Sequence, residues 1–211
     1  MKRFVIIALG LISLLILACA TRLVPVPAPD AIILPNGMSQ TLEREGVVIT
    51  VTSDAWRYDP IDVDYLFTPF HLTVENKTGT EIAIVKERIF MFDETKRQYG
   101  VVSPEEVDRA VTPRFNNSPF FFYGGHRYYR GPGDHDAWGW GFDAAFPINT
   151  YSSDVIPAAF HFGPIAPGAK VMGFIYLQEL SPEAREATLE VQSFRPDGKV
   201  ISHIFRFIRT E

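Results

Sequence analysis

The chain has 211 residues, of which 46% are hydrophobic and 21% charged, with a formal net charge of −5 at pH 7. This length suits one domain with an elaboration, and the apolar fraction is sufficient for a core. The acidic balance argues against nucleic acid as a partner, because nucleic-acid binding requires a positively charged surface. With a single cysteine, no disulfide can form within the chain, so burial and hydrogen bonding must stabilise the fold.

The chain begins with a pattern that is typical of a secretory signal. Lys2 and Arg3 precede an almost uninterrupted apolar run over residues 4–18. A helix needs about 20 apolar residues to cross a bilayer, and this run is shorter. The sequence therefore predicts a removable leader over 1–18 and not a transmembrane helix.

The leader ends in Ile16-Leu17-Ala18-Cys19, which resembles the lipobox of bacterial lipoproteins. The resemblance implies cleavage before Cys19, thioether lipidation of its sulfur and acylation of the new amino group. Several acyl chains anchor a protein stably, whereas one binds a membrane only marginally. Because Ala20 stands where an aspartate would retain such proteins, the resemblance also implies the periplasmic side of the outer membrane in a Gram-negative cell. The alternative is an ordinary signal with a chance cysteine, which would leave a free thiol in an oxidising compartment.

Residues 19–39 follow as a proline-rich stretch. Pro25, Pro27 and Pro29 alternate with small residues, which favours an extended polyproline-like tether that holds the domain away from the bilayer. Residues 32–34 offer the alternative of a short edge strand. Arg22 is the only basic residue in this stretch, so no polybasic lipid-binding patch is expected.

Residues 40–211 carry the patterns of a mainly β domain. Ser103, Pro104 and Glu106 are the signature of a capped short helix that ends before Pro113. Ser181-Pro182-Glu183 indicates the start of a second helical turn. Turn residues occur at 76–79, 167–168 and 196–199. Alternating and short apolar runs predict strands over 47–52, 70–75, 82–85, 89–92, 98–102, 158–162, 171–177, 188–194 and 199–208.

About eight short strands, two helical pieces and no alternation of strands with helices predict an antiparallel sandwich. The stretch 70–78, together with the turn 165–168 and the strand 173–176, resembles the immunoglobulin-like domains of uncharacterised bacterial lipoproteins. The resemblance implies an immunoglobulin-like β-sandwich with short helices. It covers 46–102 and 158–208, and it leaves out the segment between them.

That segment, residues 114–147, is rich in aromatic residues and glycine and has no helical or strand period. Long loops in compact domains are usually functional or disordered, and the aromatic content argues against disorder, so we predict a structured insertion. We expect Tyr128, Tyr129, Trp138 and Trp140 to form a surface that contacts a partner protein or a cell-wall glycan. The alternative is that these rings fold inward as a satellite core over one face of the sheet.

The best candidates for metal binding lie in the same insertion. Imidazole and carboxylate groups suit zinc and similar ions, but the spacing matches no specific site, and neighbouring arginines are expected to pair with the aspartates. The sequence therefore predicts no metal and no cofactor. The weak candidates are His126, Asp134, His135 and Asp136.

Other titratable residues are scattered. We expect His71, His161 and His203 to be surface residues or hydrogen-bonded core residues. The loop that contains Asp59, Asp62 and Asp64 could supply paired acids for glycoside hydrolysis, although acids in a turn-rich loop are usually solvated.

These patterns favour a lipid-anchored, non-catalytic binding or assembly module of the cell envelope. Its expected partners are the membrane, through the lipid on Cys19, and an envelope protein or a cell-wall glycan. The nucleophile-elbow, phosphate-loop, dinucleotide and His-Glu-x-x-His signatures do not occur in the sequence. Two alternatives stay open: a hydrolase of envelope polymers that uses Asp or His near the insertion, and a purely structural lipoprotein whose insertion is buried.

Overall fold

The computed structural model describes residues 22–28, 30–112 and 153–210. Over these ranges the chain folds as a mainly β, antiparallel structure with two short helices, so the coarse fold prediction is confirmed. None of the described helices is long and apolar enough to cross a membrane. The leader, Cys19 and the predicted insertion 114–147 lie outside the described residues.

Eleven strands and two helices make up the described chain. The helices are α1 Val63–Leu66 and α2 Pro104–Val111. The strands are β1 Arg22–Pro25, β2 Ala31–Ile33, β3 Ser39–Arg44, β4 Val47–Thr52, β5 Phe67–Asn76, β6 Ile82–Asp93, β7 Gln98–Val102, β8 Gly163–Ile165, β9 Lys170–Gln178, β10 Glu186–Phe194 and β11 Val200–Thr210.

The strands form one continuous antiparallel sheet. Its order is β1-β11-β10-β6-β7-β9-β5-β4-β3-β2, and β8 pairs with β6 beside this path. The short strand β7 is the link between the two halves, because it pairs with β6 on one side and with β9 on the other. Buried side chains from both halves belong to one hydrophobic core.

Alternating side chains of both halves fill that core. Each fully buried aliphatic or aromatic side chain contributes about 1.5–3 kcal/mol to folding. On β4 and β5 the alternation matches the predicted period of two. The core includes Val47, Ile49, Val51, Phe70, Leu72, Val74, Ile84, Ile89, Met91, Ile175, Leu177, Leu189, Val191, Ile201, Phe205 and Phe207.

Side chains of β3 hold the backbone of β11 where the two ends of the sheet meet. Gln40 Nε2 donates to the carbonyl of Arg206 at 2.9 Å, and Arg44 Nη1 donates to the carbonyl of Ser202 at 3.1 Å. The Arg206 carbonyl also accepts from Val26 N at 2.9 Å. Part-buried backbone acceptors cost free energy when they are unpaired, so these bonds stabilise the contact between the two strands. These bonds replace a strand ladder, so the sheet nearly closes on itself.

Part of the predicted tether belongs to the folded domain. β1 pairs with β11 from Arg22↔Thr210 to Pro25↔Phe207. β2 pairs with β3, in agreement with the alternative prediction of a short edge strand at 32–34. The prediction of a free tether is therefore wrong for 22–25 and 31–33. Pro25 is compatible with a tether and with an edge strand, because an edge strand forms hydrogen bonds on one side only and so tolerates a residue without an N–H.

Three predicted strands, in two regions of the chain, differ from the structure. The predicted strands 82–85 and 89–92 are one strand, β6, in which the exposed residues 86–88 lie opposite a register shift in β10. Residues 158–162 form no strand; Ala159 makes a single bridge to Phe174, and the regular pairing comes later, in β8. In both cases apolar composition marked the region correctly but not the pairing.

The helix predicted after Ser103 and the hairpin signal are confirmed, whereas the helical turn predicted at 181–183 is a turn outside both helices. Ser103 Oγ accepts a hydrogen bond from Glu106 N, and the Glu106 carboxylate accepts one from Ser103 N, so α2 starts with a capping box. Gly198 adopts a φ of +82° in the turn between β10 and β11, a conformation that glycine adopts without strain.

Candidate binding pocket

A pocket of about 380 Å³ lies where β1 and β5 begin and where β9 and β11 end. It is lined by β1, by residues 53–66, by the start of β5, by the turn after β9 and by the end of β11. Residues 53–66 include α1 and are called the loop 53–66 below. We call this side of the sheet the pocket end. The opposite side, which holds the β10–β11 turn at 196–199, is the far end.

The buried part of the lining is apolar. Trp56 and Leu180 are each 3% exposed, and Phe70 is fully buried. Trp56 Nε1 donates to the carbonyl of Pro60 at 2.7 Å, and its ring packs edge-on against Phe174 at 5.0 Å. Trp56 therefore fixes the loop 53–66 against β9 and gives the pocket a rigid wall.

A second buried cluster supports this wall from the outer face of β9. It explains why residues 173–177 of β9 are buried on both faces of the strand. The Tyr176 hydroxyl donates to the carbonyl of Val155 at 2.8 Å, and burial raises the pKa of Tyr176. The cluster consists of Trp56, Val63, Val107, Val111, Val155, Ala159, Phe174 and Tyr176.

Both arginines of the pocket have partners within the protein. Arg22 Nε lies 3.4 Å from Asp54 Oδ2, and Arg57 Nη2 lies 3.4 Å from the same oxygen. The Arg209 guanidinium donates to three successive carbonyls, those of residues 180–182. Arg22 thus joins β1 to the loop 53–66, and Arg209 holds the turn after β9 to the end of β11.

The exposed part of the lining has free acceptors and an aromatic ring. Asp64 and Glu179 form no ion pair with another described residue. Burial raises the pKa of Asp64, and the negative charge of Asp54 raises it further. Tyr65 is 75% exposed. Two carboxylates beside an exposed ring suit a ligand that has hydroxyl or amine donors and an apolar face.

The structure separates the predicted acids. Asp64 lines the pocket, whereas Asp59 and Asp62 are exposed and do not. The backbone N–H of Asp59 donates to Asp154 Oδ2 at 3.1 Å, so this part of the loop is tied to the chain that follows the predicted insertion. Among the described residues, no group of three His, Cys, Asp or Glu side chains could hold a metal ion.

The three described histidines do not meet. His203 is fully buried on β11, His71 lies on β5 with its ring edge-on to Phe174 at 5.1 Å, and His161 is exposed outside any strand. Burial lowers the pKa of both His71 and His203.

The remaining predicted site residues lie outside the described residues, and their roles stay predictions. They are Cys19, His126, Tyr128, Tyr129, Asp134, His135, Asp136, Trp138 and Trp140.

Sequence reasoning missed the pocket itself. Arg22, Asp54, Glu179 and Arg209 come together only through strand pairing, and their spacing along the chain has no period. The available signal was that Trp56 and six further aromatic or acidic residues stand between two strands, because such a loop has side chains both to bury and to expose to a ligand.

These residues define a mainly β, antiparallel domain with a mixed aromatic and acidic pocket at one end. No protein-family model, curated protein or solved structure matches the chain.

Proposed function

We propose that this protein is a lipid-anchored lipoprotein of the cell envelope, and that its β domain is a non-catalytic binding or assembly module. The observation that carries the proposal is the join between anchor and domain. Cys19 of the lipobox-like motif stands only three residues before Arg22, the first residue of β1. A lipid on this sulfur attaches the folded domain directly to a membrane, on the periplasmic side of the outer membrane in a Gram-negative cell.

The strand order supports an immunoglobulin-like arrangement of the domain. β4, β5 and β9 are neighbours in the order that strands A, B and E have in that fold. β11, β10, β6 and β7 follow the order G, F, C and C′ on the other half. The predicted insertion then falls between C′ and E. Domains of this kind usually present their binding surfaces on the loops at one end of the sheet.

The pocket supports binding as the activity. Its arginines are held by partners within the protein, and Trp56 packs against Phe174, so the site has a fixed shape. Two arginines and three carboxylates line it, so it has no surplus positive charge. The predicted aromatic surface of the insertion, at Tyr128, Tyr129, Trp138 and Trp140, remains our proposal for contact with an envelope protein.

The anchor is tested by the intact mass of the mature protein. We expect a chain that begins at Cys19 and carries a diacylglyceryl thioether and an amide-linked acyl chain. A Cys19→Ser variant removes the thioether and should lose membrane association. A mature wild-type chain with a free thiol would contradict the proposal, as would a Cys19→Ser variant that is cleaved and still sediments with membranes.

Binding of an envelope glycan is the second candidate, and the pairing of Asp64 and Glu179 with the exposed Tyr65 favours it. Carboxylates accept hydrogen bonds from sugar hydroxyls, and an aromatic ring packs on the apolar face of a sugar. Calorimetric titration of soluble cell-wall fragments into the protein should give saturable binding. Asp64→Asn and Tyr65→Ala should each lower the affinity at least about tenfold, which for Asp64 is roughly the loss of one charge-assisted hydrogen bond. Glu87→Gln, an exposed acid far along β6, is the matched control and should change nothing. Release of shorter fragments by the wild type alone would favour the hydrolase alternative.

A further inference from the structure

The loop 53–66 displays large apolar side chains at the pocket end of the sheet. Ile61 and Tyr65 are each 75% exposed, Tyr58 is 48% exposed and Leu66 is 46% exposed. We call these four residues the loop patch. Apolar residues that are exposed singly are normal, but four within nine positions of one rigid loop suggest an interaction surface.

The loop patch lies beside the first strand of the domain. Tyr65 lines the pocket together with Arg22 and Leu23 of β1. The ion pair between Arg22 and Asp54, at 3.4 Å, fixes the start of β1 to the start of the same loop. The loop patch therefore stands next to the point where the chain enters the sheet.

That entry point is close to the proposed lipid. Three fully extended residues span about 10–11 Å at most, so the distance from Cys19 to Arg22 cannot exceed this length. The polar headgroup region of one leaflet is about 5–7 Å thick. Because β1 is locked in register against β11, the domain cannot swing away on a long free tether. Its pocket end must stay near the headgroups.

We infer that the loop patch is a membrane-contact surface, which holds the domain against a zwitterionic phospholipid surface with its pocket end facing the lipid; this inference rests on the proposed lipidation of Cys19. It is an alternative to glycan binding by the pocket, because a Tyr65 ring that contacts lipid does not pack on a sugar at the same time. Tyrosine prefers the headgroup level, and isoleucine and leucine partition deeper. The nearby Asp59, Asp62 and Asp64 leave no electrostatic attraction to anionic lipid. Contact therefore depends on apolar area and on the high effective concentration that the anchor provides.

The test places an environment-sensitive fluorophore at each end of the sheet in the lipidated protein. Ile61→Cys labels the loop patch, and Val200→Cys labels the far end, where the side chain is similarly apolar and 46% exposed. β11 separates its two ends by roughly 34 Å, so position 200 is beyond the reach of the headgroups. Acylated Cys19 does not react with the label. The proteins are reconstituted in phosphatidylcholine vesicles that carry a nitroxide near the headgroup.

We expect a blue shift and strong nitroxide quenching at position 61, and neither effect at position 200. Equal iodide accessibility of both positions on vesicles would overturn the inference. Shielding of position 61 in a Cys19→Ala variant without vesicles would also overturn it, because the protein's own chain would then cover the patch. Flotation of the vesicles reports the anchor independently. Failure to float would reject the lipid anchor and this inference with it, whereas flotation without shielding at position 61 would reject this inference alone.

Discussion

At the residue scale, His203 is a titratable side chain that the fold removes from water. It is fully buried on β11, and its Nε2 donates to the carbonyl of Val47 at 3.1 Å. Its Nδ1 has no partner among the described residues. Burial lowers the pKa of His203 more than the bond to Val47 raises it, and the charge of Arg44 lowers it further. At neutral pH the folded state therefore holds a neutral imidazole.

This environment predicts a specific pH dependence of stability. An unfolded histidine has a pKa of about 6.5, and the folded pKa is lower. As the pH falls, the unfolded state therefore binds the proton before the folded state does. The protein keeps its full free energy of unfolding above about pH 6.5 and loses part of it as the pH drops from 6.5 toward the folded pKa. Urea denaturation at steps between pH 8 and pH 5 should show this loss.

His203→Gln is the informative variant for this prediction. Glutamine can still donate to the Val47 carbonyl but does not titrate, so the loss of stability below pH 6.5 should shrink. His71→Gln is the matched comparison, because His71 also has a lowered pKa but is less buried. It should remove less of the pH dependence. An unchanged pH profile in His203→Gln would contradict the prediction.

The location of His203 on a strand could be predicted from the sequence, but its burial against Val47 could not. The two residues are 156 positions apart, and only the folding of the sheet brings them together. The same limit applies to the pocket, where a salt bridge joins Arg22 to Asp54 and where Arg209 binds the turn after β9.

At the element scale, Gly173 allows a neighbouring segment to run directly against β9. A Cβ at this position would lie 2.6 Å from both Cα and N of Phe160, which is closer than real Cβ atoms approach backbone. The close approach permits Phe160 N to donate to the carbonyl of Phe174 at 2.8 Å, and Phe174 N to donate to the carbonyl of Ala158 at 2.8 Å. The segment after the predicted insertion is docked on β9 in this way.

We expect Gly173→Ala to lower the free energy of unfolding by about 2–3 kcal/mol, because the backbone of residues 158–160 must shift. Gly100→Ala is the control, since Gly100 lies in β7 and a Cβ there meets nothing within 4 Å. It should change stability by less than about 0.5 kcal/mol. Chemical denaturation of the chain without residues 1–19 measures both. Equal effects of the two variants would show that the contact with Phe160 does not matter.

Elements with a local signal were predictable, and elements made by pairing were not. The start of α2 follows from Ser103, Pro104 and Glu106, because a capping box is satisfied within one turn. The sequence predicts two strands in place of β6, because the charged residues 86–88 break the apolar pattern. In the structure the strand continues through a register shift. The three-residue strand β8 contains a glycine and a proline and has no strand pattern of its own; its pairing with β6 creates it.

At the scale of the whole molecule, the first and last strands of the described chain pair with each other. β1 lies along β11 in register, and Val26 N extends the pairing with a bond of 2.9 Å to the carbonyl of Arg206. Ser53 Oγ donates to the carbonyl of Leu23 at 2.6 Å, so β1 also touches the loop 53–66. The stretch that resembled a tether in sequence is thus part of the cooperative unit.

A truncation series tests this role of β1. A chain that starts at Pro27 loses the ladder to β11 and one of the two acceptors of Ser53 Oγ, and each hydrogen bond contributes about 1 kcal/mol. We expect its free energy of unfolding to be about 2–4 kcal/mol lower than that of a chain that starts at Ala20. A chain that starts at Arg22 keeps β1 and should match the longer one. Identical stability of all three chains would mean that 19–39 is a free tether after all.

The sequence indicated a mainly β antiparallel domain because alternation and turn residues are local properties. It did not indicate which strand would cover the open edge of β11, since Pro25 in β1 and the prolines that follow it in the sequence suit an edge strand and a linker equally well. The order of pairing, and with it the pocket, depends on contacts between distant segments such as β1 with β11.

The pairing of Arg22 with Thr210 also determines where foreign cargo can be attached. A reporter protein fused after Glu211 would lie beside the point where the chain enters the sheet. On the lipidated protein it would lie against the lipid headgroups. The same reporter inserted within residues 196–199 would project from the opposite side of the sheet, a full strand length further out. Displaying an enzyme or an antigen on vesicles with this scaffold therefore calls for a loop insertion instead of a C-terminal fusion.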